Sequence, residues 1–366
     1  MVPLSGYNVI RNQDRTSMLE TIGVQTIDEL LDFIPPSIRL NRPLNLPEPL
    51  SEWQLRRHLT DLAGKNETAD SHVCLLGGGV YNHYIPEVIN TIANRGEFLT
   101  AYTPYQPEIS QGLLRVLYDF QQVVGRLFDM PVVNCSVYDG ATALAESAWM
   151  AVSAKNVQRI VVTNSIWPDY LHVLRVYMAN RNVSIELIES DPACGVACLQ
   201  SLRSLLREPT AAVIVQNPNR FGVIEPIEEI INDAHSHDSL AIIGCYPTAL
   251  GVLPPPGSFG ADIVYAEGQP LGLPMAAGGP HVGMIATRES LTDFLPGRLV
   301  GETSDIKGSP ALALIKQERE QHVRRHKATS HICSNQALMA LRVLVYLSLV
   351  GENGLRRIAT LCAQKA

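Results

Sequence analysis

The sequence predicts an α/β fold, with a mainly parallel β-sheet and helices packed on both of its faces. From about residue 130 onward, short apolar segments alternate with longer amphipathic segments. The apolar segments are continuous and rich in β-branched residues, which is typical of strands that are buried on both faces. No internal repeat or low-complexity run interrupts this alternation. We therefore expect parallel strands joined by right-handed crossover helices.

An N-terminal helical arm, residues 1–70, precedes this alternation. One short helix is expected within residues 26–40, and it should end at Pro35 and Pro36. A second helix should begin after Ser51, a suitable N-cap residue, and end near Gly64. The arm is too small to bury a core of its own. We expect it to pack on the rest of the chain or on a partner.

The large α/β domain is expected to span residues 71–305. A long helix within residues 107–130 is predicted by an apolar stripe at helical spacing, formed by Leu113, Leu117, Phe120, Val124 and Leu127. The strands are predicted at 132–138, 159–164, 183–189, 211–217, 240–246, 262–267 and 281–287. Helices are predicted at 141–155, 168–182, 197–208 and 226–238. From residue 310 onward the pattern predicts helix, so residues 306–366 are interpreted as the helical start of a C-terminal small domain.

Composition and charge narrow the classes of protein that this chain can represent. The 366 residues are 46% hydrophobic and 18% charged, which is a globular composition. A net charge of -7 without clustered Lys and Arg gives no indication of nucleic-acid binding. Neither a signal peptide nor the roughly 20 apolar residues of a membrane span is evident. The seven cysteines are scattered, so we expect reduced thiols in a cytoplasmic protein.

Two turns between a predicted strand and a helix are candidate anion sites. At the second of these, Asp139 to Thr142 follow a strand, and free backbone N–H groups with the Thr142 hydroxyl can form an anion cradle. The alternative is that Asp139 or Thr142 caps the helix. At the first, Gly77 to Gly79 follow a strand-like run, and they form either a phosphate turn or a tight structural turn.

Two polar features remain open on the residues alone. Asn217 follows a predicted strand at the edge where open parallel sheets bind ligands, but its side chain can instead close an Asx turn. His322 and His326 have the i, i+4 spacing of metal ligands on a helix. The cationic neighbours Arg324, Arg325 and Lys327 disfavour a metal there, so we expect a solvated helix face and no metal site.

The stretch at residues 100–112 is the most unusual in the sequence. Prolines stiffen it, and it carries two phenols, a hydroxyl, an amide and a carboxylate, namely Tyr102, Thr103, Tyr105, Gln106 and Glu108. Such a loop suits a preorganised contact surface. An ordinary lead-in to the long helix would explain Pro107, but it would not explain the tyrosines.

Taken in order, several of these segments resemble the landmarks of the glycine cleavage system P-protein family. They are "YTPYQPEISQG", "YDGATALAE", "QNPNRFGVIE", "EGQPLGLPMAAGGPHVG", "LPGRLVGET" and "QEREQHVRRHKATSHICSNQALMA". The chain is most similar to the N-terminal half of that protein, which in many prokaryotes is a separate alpha subunit. The resemblance implies the fold-type I architecture of pyridoxal-phosphate enzymes. It also implies a C-terminal small domain that this sequence ends within, so we expect that domain to be truncated.

The resemblance implies that the cofactor is held by the partner beta subunit and not by this chain. The catalytic half of the family carries a lysine in a His-Lys-Thr context after the strand that corresponds to residues 262–267. Here Gly268, Gln269 and Pro270 stand at that position. Relatives also carry Asp where this sequence has Tyr246. We therefore expect no Schiff-base lysine and no covalently bound cofactor in this chain.

The implied reaction belongs to the complex of the two subunits. Together they would decarboxylate glycine and pass the aminomethyl group to the lipoyl arm of the H-protein. This chain would supply a wall of the shared cleft, for which Tyr102, Thr103, Tyr105, Gln106, Glu108, Asp139, Thr142, Asn217 and Gln269 are the candidate residues. Two other interpretations stay open: a non-catalytic scaffold or regulatory relative, and a stand-alone fold-type I enzyme with an unconventional lysine.

Overall fold

A computed structural model describes residues 9–40, 42–68, 71–73, 75 and 77–366 of the chain. The chain divides into two compact units, Met1–His72 and Val73–Ala366. The second unit contains both the predicted strand–helix alternation and the helical C-terminal segment.

The described part of the N-terminal unit is built from short helices: α1 (Asn12–Ile22), a 3₁₀ helix (Asp28–Leu31) and α2 (Glu52–Ala63). The predicted N-cap of α2 is confirmed, because Ser51 Oγ accepts a hydrogen bond from the Gln54 backbone N–H at 3.4 Å. The helix expected within residues 26–40 is a single 3₁₀ turn, since the prolines that follow disfavour helical backbone before them. None of these three helices has a buried residue.

A seven-stranded sheet forms the centre of the second unit. Its strands are β1 (Val132–Val133), β2 (Arg159–Thr163), β3 (Ser184–Ile188), β4 (Ala212–Asn217), β5 (Leu240–Cys245), β6 (Ile263–Glu267) and β7 (Gly283–Thr287). Their spatial order is β1-β7-β6-β5-β4-β2-β3. The pairs from β3 through β6 are parallel, and β7 runs antiparallel to both β6 and β1. The predicted mainly parallel sheet is therefore confirmed.

Helices cover both faces of the sheet, as expected. The α-helices of the second unit are α3 (Glu87–Ala93), α4 (Gly96–Leu99), α5 (Gln111–Phe128), α6 (Gly140–Lys155), α7 (Pro168–Ala179), α8 (Leu199–Leu205), α9 (Ile227–Ser236), α10 (Gln321–Arg324) and α11 (Ala337–Lys365). Along β4, Val213 and Val215 belong to the core that α5, α9 and α11 cover, whereas Ile214 belongs to the core beneath α6 and α7. This alternation follows from the two-residue period of a strand.

The segment that begins at residue 310 does not start with the helix that was predicted. Its first residues form β9 (Pro310–Ile315), which pairs antiparallel with β8 (Leu299–Ser304) in a β-hairpin. The turn is fixed locally, because Asp305 Oδ1 accepts the N–H groups of Lys307 and Ser309 at 2.8 Å each. The distant Gln111 side chain then bonds both backbone groups of Leu312 at 2.9 Å. Helical periodicity does not reveal either contact.

The end of the chain is helical as expected, and its helix α11 is interrupted at Gly351, whose φ of 58° and ψ of -171° are not helical. By length and composition alone α11 could cross a membrane. However, Ala340, Val343 and Tyr346 are fully buried in the core on one face of the sheet. We therefore describe α11 as a core helix of the second unit.

Candidate functional site

The candidate site lies at the edge where the parallel strands end. A cleft of about 710 Å³ opens there, lined by residues at or after the ends of β2, β4 and β5, by the segment after the three glycines and by the last turns of α11. Four aromatic rings form much of its wall: Tyr81, His83, Trp167 and Tyr246. Open parallel sheets bind their ligands at this edge because the crossover loops diverge there.

The side chain of Gln269 connects the turn after β6 to the backbone of Tyr81 in the wall of the cleft. Its side chain is fully buried, and its Oε1 accepts the Tyr81 N–H at 3.1 Å. Its Nε2 donates to the Tyr81 carbonyl at 2.8 Å and to the Leu273 carbonyl at 2.9 Å. The amide that follows β6 therefore holds the backbone at Tyr81 across a separation of 188 residues.

The three glycines form a tight backbone segment that packs beside the aromatic wall. Gly77, Gly78 and Gly79 all have positive φ. A side chain on Gly79 would place its Cβ 3.3 Å from the Trp167 ring, so glycine is favoured on both grounds. The next helix, α3, begins only at Glu87, and hence these glycines do not form a helix N-terminus. The strand-like run before them includes Cys74 and Leu76, which lie outside the described residues.

The turn into α6 is filled by the chain's own carboxylates. Asp139 caps the helix, with its Oδ1 accepting the Thr142 N–H at 2.7 Å. Glu267 Oε2 accepts the Gly140 N–H at 2.8 Å, and its Oε1 accepts the N–H groups of Gln269 at 2.8 Å and Val282 at 3.2 Å. The Gly140 and Thr142 N–H groups are thus already paired with carboxylates of the protein.

Close packing around Glu267 leaves no room for another group. A Cβ on Gly140 would lie 2.4 Å from the Tyr170 hydroxyl and 2.8 Å from the Glu267 Cβ. Burial raises the pKa of Glu267 to about 7, even though its three backbone donors favour the ionised form. Sequence reasoning missed Glu267 because a glutamate at a strand end has no distinctive spacing.

Asn217 closes a loop and does not line the aromatic cleft. Its Oδ1 accepts the Glu225 N–H at 2.9 Å, a bond that spans eight residues and is longer than an Asx turn. Beside it, Asn219 Oδ1 accepts the N–H groups of Phe221 and Val223. The two amides therefore shape the loop between β4 and α9.

Tyr246, at the position where an Asp was expected in relatives, is part of the aromatic wall of the cleft. Its hydroxyl hydrogen-bonds His83 Nε2, and its ring meets the Tyr81 ring edge-on at 5.6 Å. Burial lowers the pKa of His83 to about 4 and raises that of Tyr246 far above its usual value. His83 was not predicted, since it lies in the sequence 163 residues from its partner.

The loop at residues 102–108 lies apart from the cleft and is anchored at two points. The Tyr102 hydroxyl bonds Ser334 Oγ, and the Arg298 guanidinium donates to Thr103 Oγ1. Arg298 is buried and also lies 5.8 Å from the centre of the Tyr105 ring. The exposed side of the loop carries Tyr102 and Tyr105, at 66% and 67% exposure, together with the exposed Gln106 and Glu108.

Arg298 and Ser334, which sequence reasoning did not select, show how separate motifs meet at this loop. They come from the stretches "LPGRLVGET" and "SHICSNQALMA". His322 and His326 are not on one helix, because α10 ends at Arg324 and Arg325 has a φ of 54°. Within residues 9–40, 42–68, 71–73, 75 and 77–366, no group of three or more His, Cys, Asp or Glu side chains is placed to hold a metal.

Comparison with known proteins gives a consistent family. The model of the family "Glycine cleavage system P-protein" matches residues 7–366. The chain is 46% identical over 349 residues to a probable glycine dehydrogenase (decarboxylating) subunit 1 of Carboxydothermus hydrogenoformans, covering 95% of this chain and 78% of that protein. It is 45% identical over 363 residues to the protein of the same description in Anoxybacillus flavithermus, covering 99% and 81%.

Solved structures agree with this family. A glycine decarboxylase (P-protein) of the glycine cleavage system, in inhibitor-bound form, matches with a TM-score of 0.87 and 40% identity, covering 96% of this chain and 78% of that one. A sphingosine-1-phosphate lyase of Burkholderia pseudomallei K96243 shares the fold alone, with a TM-score of 0.60 and 12% identity over 89% and 75% of the two chains. The expected fold-type I architecture is confirmed. The chain belongs to the glycine cleavage system P-protein family.

Proposed function

We propose that this chain is subunit 1 of a glycine dehydrogenase (decarboxylating) and works in the cytoplasm as part of the glycine cleavage system. The observation that carries this proposal is identity of about 45% to proteins of that description over almost the whole chain. In this proposal a second subunit completes the enzyme. Glycine is the substrate of the complex, and the lipoyl H-protein receives the aminomethyl group.

The second subunit, and not this chain, holds pyridoxal phosphate in this proposal. The cofactor requires a lysine amine for its Schiff base and a charged partner for its pyridine nitrogen. The six lysines are Lys65, Lys155, Lys307, Lys316, Lys327 and Lys365, and none lies in the turn between β6 and β7. The buried amide of Gln269 and the phenol of Tyr246 stand at the corresponding positions. Glu267 already accepts the Gly140 N–H that an anionic group would need. These residues do not fit the cofactor.

The exposed loop at residues 102–108 contributes to the site that the two subunits share. The proposal is supported by the combination of an anchored loop and exposed side chains. Thr103 is tied to the buried Arg298, whereas the rings of Tyr102 and Tyr105 are about two-thirds exposed. Tyrosine combines a broad apolar face with a polar tip, and it is enriched where proteins meet. The competing interpretation, a loop that serves only its own unit, rests on the same anchors.

The test is reconstitution from separately purified subunits. Glycine–bicarbonate exchange is measured with this chain, with the second subunit, and with both, each in the presence of lipoyl H-protein. We expect exchange only when both subunits are present. Borohydride reduction and peptide mapping should then place the pyridoxyl label in the second subunit. If the second subunit alone gives the full exchange rate, this chain is a scaffold or regulator. A pyridoxyl-lysine peptide from this chain would instead favour a stand-alone enzyme.

A further inference from the structure

The cleft at the sheet edge has features that the proposed function does not use. It lies in the second unit, is lined by residues of this chain, and has about 710 Å³ of space. That volume lies within the range of small-molecule sites, which is roughly 300–1,000 Å³. Of the residues that bar pyridoxal phosphate, Tyr246 lines this space, whereas Glu267 and Gln269 do not.

The wall of the cleft favours a flat aromatic ligand. Tyr81 lies at the centre of the wall, with its ring centre 5.6 Å from that of Tyr246 and 6.3 Å from that of Trp167. Both contacts are edge-to-face, at 88° and 60° between the ring planes. A ring entering the cleft would extend this pattern of aromatic contacts, which stabilise beyond simple burial.

A buried amide in the lining lacks a hydrogen-bond donor. Gln216 is 7% exposed, and its Nε2 donates to the Pro218 carbonyl at 3.3 Å. In the part of the chain that the structure describes, no donor reaches Gln216 Oε1. A buried acceptor without a partner is unfavourable, so a ligand that offers an N–H or O–H group would restore the missing bond.

The charge of the lining favours an anion. Arg220 follows β4 and lines the cleft, with its guanidinium 4.6 Å from the centre of the Phe221 ring. Its Nε is buried and has no acceptor among the described residues. Among the described residues, no Asp or Glu side chain lines the cleft. A guanidinium with no carboxylate side chain in the same lining is suited to binding a carboxylate from a ligand.

We propose that this cleft binds a small aromatic carboxylate that also carries an N–H or O–H donor. The ring lies against Tyr81, Trp167 and Tyr246, the carboxylate meets Arg220, and the donor meets Gln216 Oε1. This inference does not depend on the proposed function, because it concerns a different surface from the loop at residues 102–108.

The test uses the full chain and three matched probes in isothermal titration calorimetry. 4-Hydroxybenzoate carries both recognised groups, benzoate lacks the donor, and 4-hydroxybenzamide lacks the charge. We expect 4-hydroxybenzoate to bind about fivefold more tightly than benzoate and about tenfold more tightly than the amide, the usual effects of one neutral and one charged hydrogen bond.

Two variants separate the two groups. Arg220→Gln should abolish the preference for the carboxylate over the amide while keeping the preference for the hydroxyl. Gln216→Leu should do the reverse. Arg207→Gln, an exposed arginine outside the cleft, is the control for the loss of one positive charge and should bind like the wild type. Melting temperatures check that each variant is folded.

The proposal is overturned if none of the probes binds at millimolar concentration, or if folded Arg220→Gln and Arg207→Gln bind 4-hydroxybenzoate equally.

Discussion

At the scale of single residues, Glu267 shows how this chain occupies its own anion site. A helix N-terminus attracts negative charge, and here the carboxylate comes from the end of β6 and accepts the Gly140 N–H. The close contacts with Gly140 explain why that position carries glycine. Capping by Asp139 was one of the alternatives that the sequence left open, and it could be named because its partner lies three residues away. Glu267 lies 127 residues from Gly140 and could not be predicted in that way.

The raised pKa of Glu267 gives a pH-dependent stability. Its pKa in the folded chain is about 7, against an ordinary value of 4.5, so the folded state binds the proton more tightly than the unfolded state. This group therefore stabilises the fold fully below about pH 4.5, and the contribution is lost as the pH rises through 7. The largest loss is about 3 kcal/mol.

We expect Glu267→Gln to flatten this dependence, because the amide does not titrate. The measurement is the free energy of unfolding by urea at pH 5, 6, 7 and 8. Between pH 5 and 8 the wild type should lose more stability than the variant does. Glu289→Gln, at an exposed glutamate, should follow the wild type. Parallel curves for the wild type and Glu267→Gln would show that Glu267 is not the group responsible.

At the scale of elements, a helix or strand could be predicted from the sequence when residues close to it in the chain determine it. Prediction failed where contacts with distant residues determine the structure. The strands β2 to β6 were predicted because continuous apolar runs identify buried parallel strands wherever they pair. Strand β9 was predicted as helix because its pairing with β8 depends on the turn at Asp305 and on Gln111, which is 201 residues from Leu312. The predicted strand at 132–138 is only β1, since residue Ser136 has a φ of 114°.

The loop at residues 102–108 leads to a prediction for one hydroxyl group. Tyr105→Phe removes the phenol and retains the ring, whose face lies near Arg298. If that phenol acts in the shared site, loss of a hydrogen bond of roughly 1 kcal/mol should lower glycine decarboxylation by the complex about fivefold. Assembly and melting temperature should stay unchanged.

A second tyrosine supplies the control for Tyr105. Tyr118→Phe removes a hydroxyl that donates to Glu302 Oε1 at 2.9 Å, on the helix α5 and outside the loop. Its decarboxylation rate should equal that of the wild type. A wild-type rate for Tyr105→Phe would mean that the loop only supports its own unit, whereas equal losses in both variants would indicate a general structural effect.

At the scale of the whole molecule, the second unit assembles both its cleft and its exposed loop from segments that are far apart in sequence. Gln269 reaches Tyr81, Tyr246 reaches His83, and Arg298 reaches Thr103. The sheet order brings these segments together, and that order is a property of the fold, so motif spacing alone could not place them. The resemblance to a family supplied the positions of Gln269 and Tyr246, whereas their contacts required the structure.

The N-terminal unit gives the last prediction, because the residues of it that the structure describes form no buried core. None of the residues in α1, the 3₁₀ helix or α2 is buried, although Phe33 and Trp53 are large apolar side chains. Surfaces of this kind usually mark an interaction site. We expect the second subunit to cover the arm, and Trp53 reports on it, since burial of tryptophan shifts its emission to shorter wavelength. The wild-type chain should show this shift when the second subunit is added, and Trp149→Phe should retain it. Trp53→Phe should lose it. The same shift in Trp53→Phe would place the contact elsewhere on the chain, and the arm would then not be the surface that the second subunit covers.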